Sequence, residues 1–146
     1  MRLDYESLTP DASRHLFAIS AAIRRSVLDP ILRELTAVLV SQLNGCAHCI
    51  AVHWEKALRA GASERQLRLL TTAEEAGDAV FAERTLVALR LARALTISPH
   101  DGISDELWAA AQHALGDESL MWLVQHVMLM NSWNRLSIAL RIPPPE

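Results

Sequence analysis

The chain has 146 residues, 51% of them hydrophobic, and carries a net charge of −3. This length suits one domain with a real core, so we expect a single domain over residues 1–146. Lys56 is the only lysine and the arginines are spread along the chain, which gives no basic patch and argues against nucleic-acid binding. The charged N-terminus lacks the apolar core of a secretory signal, and the charge-free run at 35–54 is interrupted by polar residues. We therefore expect a cytoplasmic protein without a membrane span.

The apolar residues recur at helical spacing, and no run is typical of a strand, which predicts an all-α bundle of about six or seven helices. Pro30 suits a first helical turn, and Gly45 and Gly61 suit positions just past helix ends. Ser63 and Gln66 have the spacing of a capping box. In chain order, the predicted helices cover 11–26, 29–43, 46–60, 63–76, 82–95, 105–116 and 117–140, with a loop at 98–104.

The last predicted helix is apolar on most of its sides, with Met121, Met128 and Trp133 spread around it. A helix of this kind needs packing partners on most sides. It is therefore either a central core helix or part of a subunit interface, where Trp and Met are enriched. We interpret His126, a polar exception on this helix, as a hydrogen-bonded core histidine rather than a catalytic one.

The most informative feature is the pair Cys46 and Cys49, the only cysteines of the chain, with His53 four residues later and Glu34 twelve residues before the pair. Since each helical residue turns by about 100°, His53 lies about 40° from Cys49 and about 20° from Cys46 around the predicted helix. Both sulfur atoms and the imidazole should share one face, and His48 should point away from it.

This arrangement suits thiol chemistry. The reactive form of cysteine is the thiolate, which the N-terminus of a helix stabilises. His53 can accept the thiol proton, and Glu34 can orient the ring if the two helices pack antiparallel. The residues therefore have the pattern of nucleophile, base and orienting group found in covalent catalysis.

The spacing of Glu34, Cys46, Cys49 and His53 resembles the signature of the alkylhydroperoxidase AhpD-like proteins of the carboxymuconolactone decarboxylase superfamily. The similarity continues through residues 42–50, the helix end at 60–61 and residues 131–136. The resemblance implies an AhpD-like helical bundle and a hydroperoxide reductase that serves antioxidant defence.

The resemblance also assigns roles. It implies that a peroxide oxidises Cys49, that Cys46 resolves the product as a disulfide, that Glu34 and His53 relay protons, and that His48 assists. It further implies a homo-oligomer, a trimer or a hexamer, and an external reductant: a dithiol, a thioredoxin-like protein or a lipoyl-type carrier. No bound cofactor is expected, because sulfur itself carries the electrons.

Other interpretations of the cysteine pair remain open. A structural zinc site normally needs four ligands, but no second Cys or His pair has a suitable spacing, so we expect no metal. Inert core cysteines are also common, although this helix-start spacing with a histidine one turn later argues against them. The remaining rivals are a decarboxylase-like lyase, a general thiol–disulfide oxidoreductase, and a non-catalytic oligomer that senses oxidation.

Overall fold

The computed structural model describes residues 1–97 and 102–145, and the part of the chain that it describes contains α-helices and short 3-10 turns but no strand. The all-α prediction is therefore confirmed. The nine α-helices in these residues are α1 Tyr5–Leu8, α2 Pro10–Arg24, α3 Pro30–Asn44, α4 Ala47–Ala60, α5 Glu64–Arg68, α6 Ala73–Ala76, α7 Glu83–Ile97, α8 Asp105–Leu115 and α9 Asp117–Leu140. The predicted loop at 98–104 lies partly outside the described residues, since 98–101 are not among them.

Local sequence signals fix the ends of the two helices that matter most for the site. The Asp29 side chain caps α3 by accepting from the backbone N–H of Leu32 at 2.8 Å, and Pro30 occupies the first helical position. Gly45 ends α3 with φ of 71°, in the left-handed region that favours glycine. Gly61 ends α4 in the same region, with φ of 105°. These predicted boundaries are confirmed.

The segment predicted as one helix over 63–76 is divided into shorter pieces. The capping box of Ser63 and Gln66 is present and starts α5, but α5 ends at Arg68. A 3-10 turn at Leu70–Thr72 follows and leads into α6. Leu67, Leu70 and Ala73 are all buried. Their spacing of three is the repeat of a 3-10 helix, so the tighter winding keeps all three facing the core.

The most buried helix is α3, which lies between two hydrophobic clusters. On one side Leu32, Ala37 and Val40 pack with residues of α2, α7, α8 and α9. On the other side Leu35, Val38 and Leu39 pack with residues from α4 to α7. Because α3 carries Glu34, the predicted proton-relay carboxylate is held on a helix that is buried on two sides.

The last helix, α9, is buried along one stripe and exposed along another. Leu123 and Val127 are fully buried, whereas Met121 and Met128 are exposed. It is thus a core helix on one side. The predicted trimer or hexamer stays a prediction. Neither α9 nor any other helix among the described residues is both long and apolar enough to cross a membrane.

A polar network ties the C-terminal end of α3 to α9. The Asn44 side-chain amide donates to the side-chain oxygens of Asn131 and Asn134, both at 2.9 Å. The Asn134 amide in turn donates to the Ser41 hydroxyl at 3.1 Å. Asn134 is completely buried, so these bonds are needed to satisfy its polar atoms. The network fixes the backbone immediately before Cys46.

Candidate active site

The α3–α4 hairpin brings together two residues that lie 19 positions apart in sequence. Gly45 and Cys46 connect the helices, which pack against each other. Across their interface, Nδ1 of His53 lies 2.7 Å from Oε2 of Glu34, so the carboxylate accepts a hydrogen bond from the ring. The sequence predicted that Glu34 and His53 would pair if the two helices packed antiparallel, and this pair is present.

Arg33, which the sequence analysis did not identify, completes the environment of this carboxylate. Its Nε donates to Oε1 of Glu34 at 2.9 Å. Burial of the Glu34 carboxyl raises its pKa, but the hydrogen bonds and positive charges of His53 and Arg33 outweigh burial and lower the pKa to about 2. Glu34 is therefore an anion at neutral pH, and each of its oxygens has one charged or polarised donor.

The Glu34 carboxylate also sets the tautomer of His53. A carboxylate can only accept hydrogen bonds, so Nδ1 of the neutral ring must carry the proton. Nε2 then keeps its lone pair. His53 can therefore act as a base. Its Nε2, which accepts the proton, is turned away from Glu34, and the carboxylate stabilises the protonated ring.

The two cysteines lie at the start of α4. Cys46 is the N-cap rather than part of the first turn, and its sulfur accepts from the backbone N–H of Cys49 at 3.3 Å. The two sulfur atoms are joined as a disulfide, with a distance of 5.3 Å between the Cα atoms. Both side chains are buried, with 2% of Cys46 and 5% of Cys49 exposed. The Cys49 N–H faces the Cys46 sulfur, and the positive end of the helix favours a thiolate after reduction.

A cavity of about 270 Å³ adjoins one of these sulfurs. Cys49, His53, Glu34 and Arg33 line it, whereas Cys46 is not among its lining residues. Apolar residues of α2, α9 and the segment after α9 form part of the lining, beside polar residues such as Ser20 and Ser137. We call these apolar residues the apolar wall, and they are Phe17, Ile23, Leu129, Met130, Trp133 and Ile142. Cys49 is thus the sulfur that a bound small molecule can reach.

His48 lies in a different place from the one predicted. On the predicted helix His48 points away from the cysteines, but in the structure its side chain lines the same cavity as Cys49. Its Nδ1 donates to the backbone carbonyl of Pro143 at 2.7 Å. Residues about 100° apart on a helix can border one concave site when another segment closes its side, and here the segment after α9 does so. The predicted orientation of His48 was wrong for this reason.

His126 is buried and hydrogen-bonded, as the sequence analysis expected, and it also lines the cavity. Its Nε2 donates to the backbone carbonyl of Arg33 at 2.9 Å. Burial lowers the pKa of His126 to about 4, and the nearby positive charge of His53 acts in the same direction. The ring is therefore neutral at pH 7 and supports the backbone that carries Arg33 and Glu34.

The arrangement of the described residues offers no evident metal site. Within 1–97 and 102–145, no three His, Cys, Asp or Glu side chains are grouped so that they could hold a metal ion. Glu34 is engaged with His53 and Arg33, and the sulfurs are bonded to each other. The chemistry available here is thiol–disulfide chemistry next to a histidine base.

Sequence comparisons relate the chain to a protein family and to two bacterial proteins. The carboxymuconolactone decarboxylase family model matches residues 10–94. The chain is 30% identical over 139 residues to the uncharacterised protein YdfG of Bacillus subtilis. This alignment covers 95% of the present chain and 93% of YdfG. It is 28% identical over 121 residues to the uncharacterised protein YnjA of Escherichia coli, covering 82% of this chain and 64% of that protein.

Comparisons of structure agree with the sequence matches. A protein of unknown function from Agrobacterium tumefaciens, provisionally assigned as the antioxidant defence protein AhpD, matches with a TM-score of 0.92 at 24% identity, over 99% of this chain and 98% of that one. An uncharacterised peroxidase-related protein from Silicibacter gives a TM-score of 0.79 at 19% identity, over 90% of this chain and 69% of that one. The family model covers more than half of the chain, and the structural matches show the same helical fold, so the chain belongs to the carboxymuconolactone decarboxylase family.

Proposed function

We propose that this protein is a thiol-dependent hydroperoxide reductase in which Cys49 is oxidised and Cys46 resolves the product. One observation carries the proposal. Cys49 lines a cavity together with a histidine that a buried carboxylate orients, and its partner sulfur lies directly behind it. A substrate in the cavity meets one thiol and one base, while the second thiol is shielded from it.

In the first step the reduced Cys49 loses its proton to Nε2 of His53. Glu34 favours this transfer because its negative charge stabilises the imidazolium that forms. The positive N-terminal end of α4 also favours the thiolate. The deprotonation needs no bound metal, since base and stabilising charges are supplied by the side chains and the helix end.

In the second step the Cys49 thiolate attacks the terminal oxygen of the hydroperoxide. A sulfur–oxygen bond forms, the oxygen–oxygen bond breaks, and two electrons pass from sulfur to the peroxide. His53 returns its proton to the departing alkoxide, which leaves as an alcohol. Cys49 is left as a sulfenic acid.

In the third step the Cys46 thiol attacks the Cys49 sulfur and water leaves, which forms the disulfide. The Cα separation of 5.3 Å lies within the usual range for a disulfide, so the backbone does not have to move far. An external dithiol, a thioredoxin-like protein or a lipoyl-type carrier then reduces the pair by exchange, so that one reductant dithiol is consumed per hydroperoxide. Sulfur and the reductant account for all electrons.

Two rival activities remain, and thiol dependence separates them. A lyase of the decarboxylase type, after which the family is named, does not need electron transfer through the cysteines. A general thiol–disulfide oxidoreductase uses the pair but has no need of a peroxide cavity. The cavity beside Cys49 favours the peroxidase over the second rival.

The deciding experiment is steady-state peroxide consumption with a dithiol donor, for the wild type and for Cys49→Ser and Cys46→Ser. We expect turnover in the wild type, none in Cys49→Ser, and a single oxidation event without turnover in Cys46→Ser. Insulin reduction measured in parallel reports general disulfide reductase activity. Insulin reduction without peroxide turnover, or peroxide turnover that survives Cys49→Ser, would overturn the proposal.

A further inference from the structure

The mouth of the cavity carries two cations that have no partner in the described chain. Arg24, at the end of α2, and Lys56, on α4, are both exposed and both line the cavity. Neither forms a salt bridge or a side-chain hydrogen bond within residues 1–97 and 102–145. Arg33 differs from them because Glu34 neutralises it. We call Arg24 and Lys56 the cationic rim.

The positive charge at the cavity mouth is not expected from the composition of the chain. The chain has a net charge of −3 and a single lysine, and that lysine is Lys56. Glu34 is the only acidic residue among those lining the cavity, and Arg33 and His53 already bind both of its oxygens. The cationic rim therefore gives the cavity a net positive charge on a negatively charged protein.

Lys56 lies on the same stripe of α4 as the reactive sulfur. Cys49, Val52, His53 and Lys56 line the cavity at spacings of three, four and seven residues, which places them along one side of the helix. A rise of about 1.5 Å per residue puts Lys56 about 10 Å from Cys49 along the helix axis. Cys49 and Lys56 are therefore separated along one side of the site, which Arg24 and the apolar wall also line.

We propose that the substrate is a small organic hydroperoxide that carries a carboxylate or a similar anionic group. The anion lies at the cationic rim, the hydrocarbon part lies against Phe17 and Trp133 of the apolar wall, and the hydroperoxide reaches Cys49. This inference rests on the proposed function for its chemistry. Cys49 takes the terminal oxygen, the oxygen–oxygen bond breaks, and the other fragment leaves with a proton from His53 as a hydroxy acid.

The test compares three hydroperoxides of one scaffold that carry different charges: cumene hydroperoxide, its para-carboxylate and its para-trimethylammonium analogue. In the wild type we expect kcat/KM to be roughly tenfold higher for the carboxylate than for the neutral compound, and lowest for the ammonium compound. Added salt should reduce the difference, because exposed charges are screened.

Variants locate the origin of this preference. Lys56→Met and Arg24→Met should each lower the carboxylate-to-neutral ratio of kcat/KM by roughly threefold to tenfold. Arg25→Met removes the same charge from the next residue, which is exposed and is not among the cavity-lining residues, and should leave the ratio unchanged. Equal kcat/KM for all three hydroperoxides, or an equal fall in all three variants, would overturn the inference.

A second measurement is independent of peroxide chemistry. In reduced Cys46→Ser, the Cys49 sulfur can be alkylated by iodoacetate, an anion, or by iodoacetamide, which is neutral; iodide leaves in both cases. We measure the ratio of the iodoacetate rate to the iodoacetamide rate, with free glutathione as the reference thiol. This ratio should be several-fold higher for the protein than for glutathione, and it should fall when Lys56→Met is added. A preference for iodoacetate without any peroxide turnover supports the anion site and overturns the proposed function. Peroxide turnover without a preference for the anionic compound in either assay supports the proposed function and overturns the anion site.

Discussion

Replacing His126 by Gln should remove a pH dependence of folding that this buried ring imposes. The ring packs beside Arg33, Glu34 and His53, and its Nε2 donates to the Arg33 carbonyl. Burial is the main reason that the pKa of His126 falls to about 4, and the charge of His53 adds to it. Gln also carries an N–H group, so it can keep the hydrogen bond while removing the titration.

The direction and size of the effect follow from the two pKa values. Because the pKa of His126 falls from 6.5 in the unfolded chain to about 4 in the folded protein, the unfolded state binds the proton first as the pH drops. The stabilising contribution is complete above pH 6.5 and is lost as the pH falls from 6.5 to 4. The loss amounts to roughly 3 kcal/mol at about 1.4 kcal/mol per pH unit. Glu34, with a pKa lowered from 4.5 to about 2, loses its contribution in a separate window at lower pH.

The assay is denaturant unfolding of the reduced protein from about pH 7 to about pH 4.5. The free energy of unfolding of the wild type should fall by roughly 2 to 3 kcal/mol over this range, whereas that of His126→Gln should change little. His113→Gln is the matched control, since His113 is exposed on α8. An equal fall in the wild type and His126→Gln would refute the assignment of this pH dependence to the buried ring.

Three further predictions concern the cysteines, the proton pair and the polar network. Peroxide-treated Cys46→Ser should carry a dimedone adduct on Cys49, whereas Cys49→Ser should carry none; mass spectrometry that places the adduct on Cys46 would reverse the roles. Glu34→Gln and His53→Gln should each slow peroxide attack by roughly 10²–10⁴-fold in stopped-flow kinetics, because the first removes the charge that stabilises protonated His53 and the second removes the base itself. The double variant should be little slower than either single one, and multiplicative effects would show that the two do not act as a unit. Asn134→Ala should lower the free energy of unfolding by roughly 2 to 3 kcal/mol in denaturant titration, since it breaks two buried hydrogen bonds, and a change below about 0.5 kcal/mol would mean that water replaces them.

The sequence predicted the part of the site that depends on local geometry. Helix ends at Gly45 and Gly61 follow from backbone preferences, and they fix the register of α3 against α4. Once that register is known, Glu34 and His53 meet because both lie on the inner faces of a short hairpin. The pairing could therefore be predicted without knowledge of any other helix.

The rest of the site depends on contacts that local sequence patterns do not predict. Neighbouring residues such as Arg33 and Glu34 point about 100° apart on a helix, so nothing in the sequence suggested that the Arg33 guanidinium folds back onto the carboxylate. His48 was misplaced because its surroundings include Pro143, far along the chain. Phe17 and Trp133 form one wall although they lie on α2 and α9, with ring centroids 5.2 Å apart.

Two separate parts of the chain line the cavity, and this affects how related proteins can diversify. All the residues proposed for electron and proton transfer lie on the α3–α4 hairpin, within 33–53, whereas the apolar wall comes from α2, α9 and the segment after it. Ile23, Leu129 and Met130 of the wall belong to the same buried cluster as residues of α3, whereas Phe17 and Ile142 do not. Mutations at Phe17 and Ile142 therefore alter the shape offered to a substrate without disturbing the packing of the hairpin. Homologues can drift towards different oxidants at such positions while keeping one chemistry, and a library restricted to these two positions should evolve substrate scope separately from reactivity.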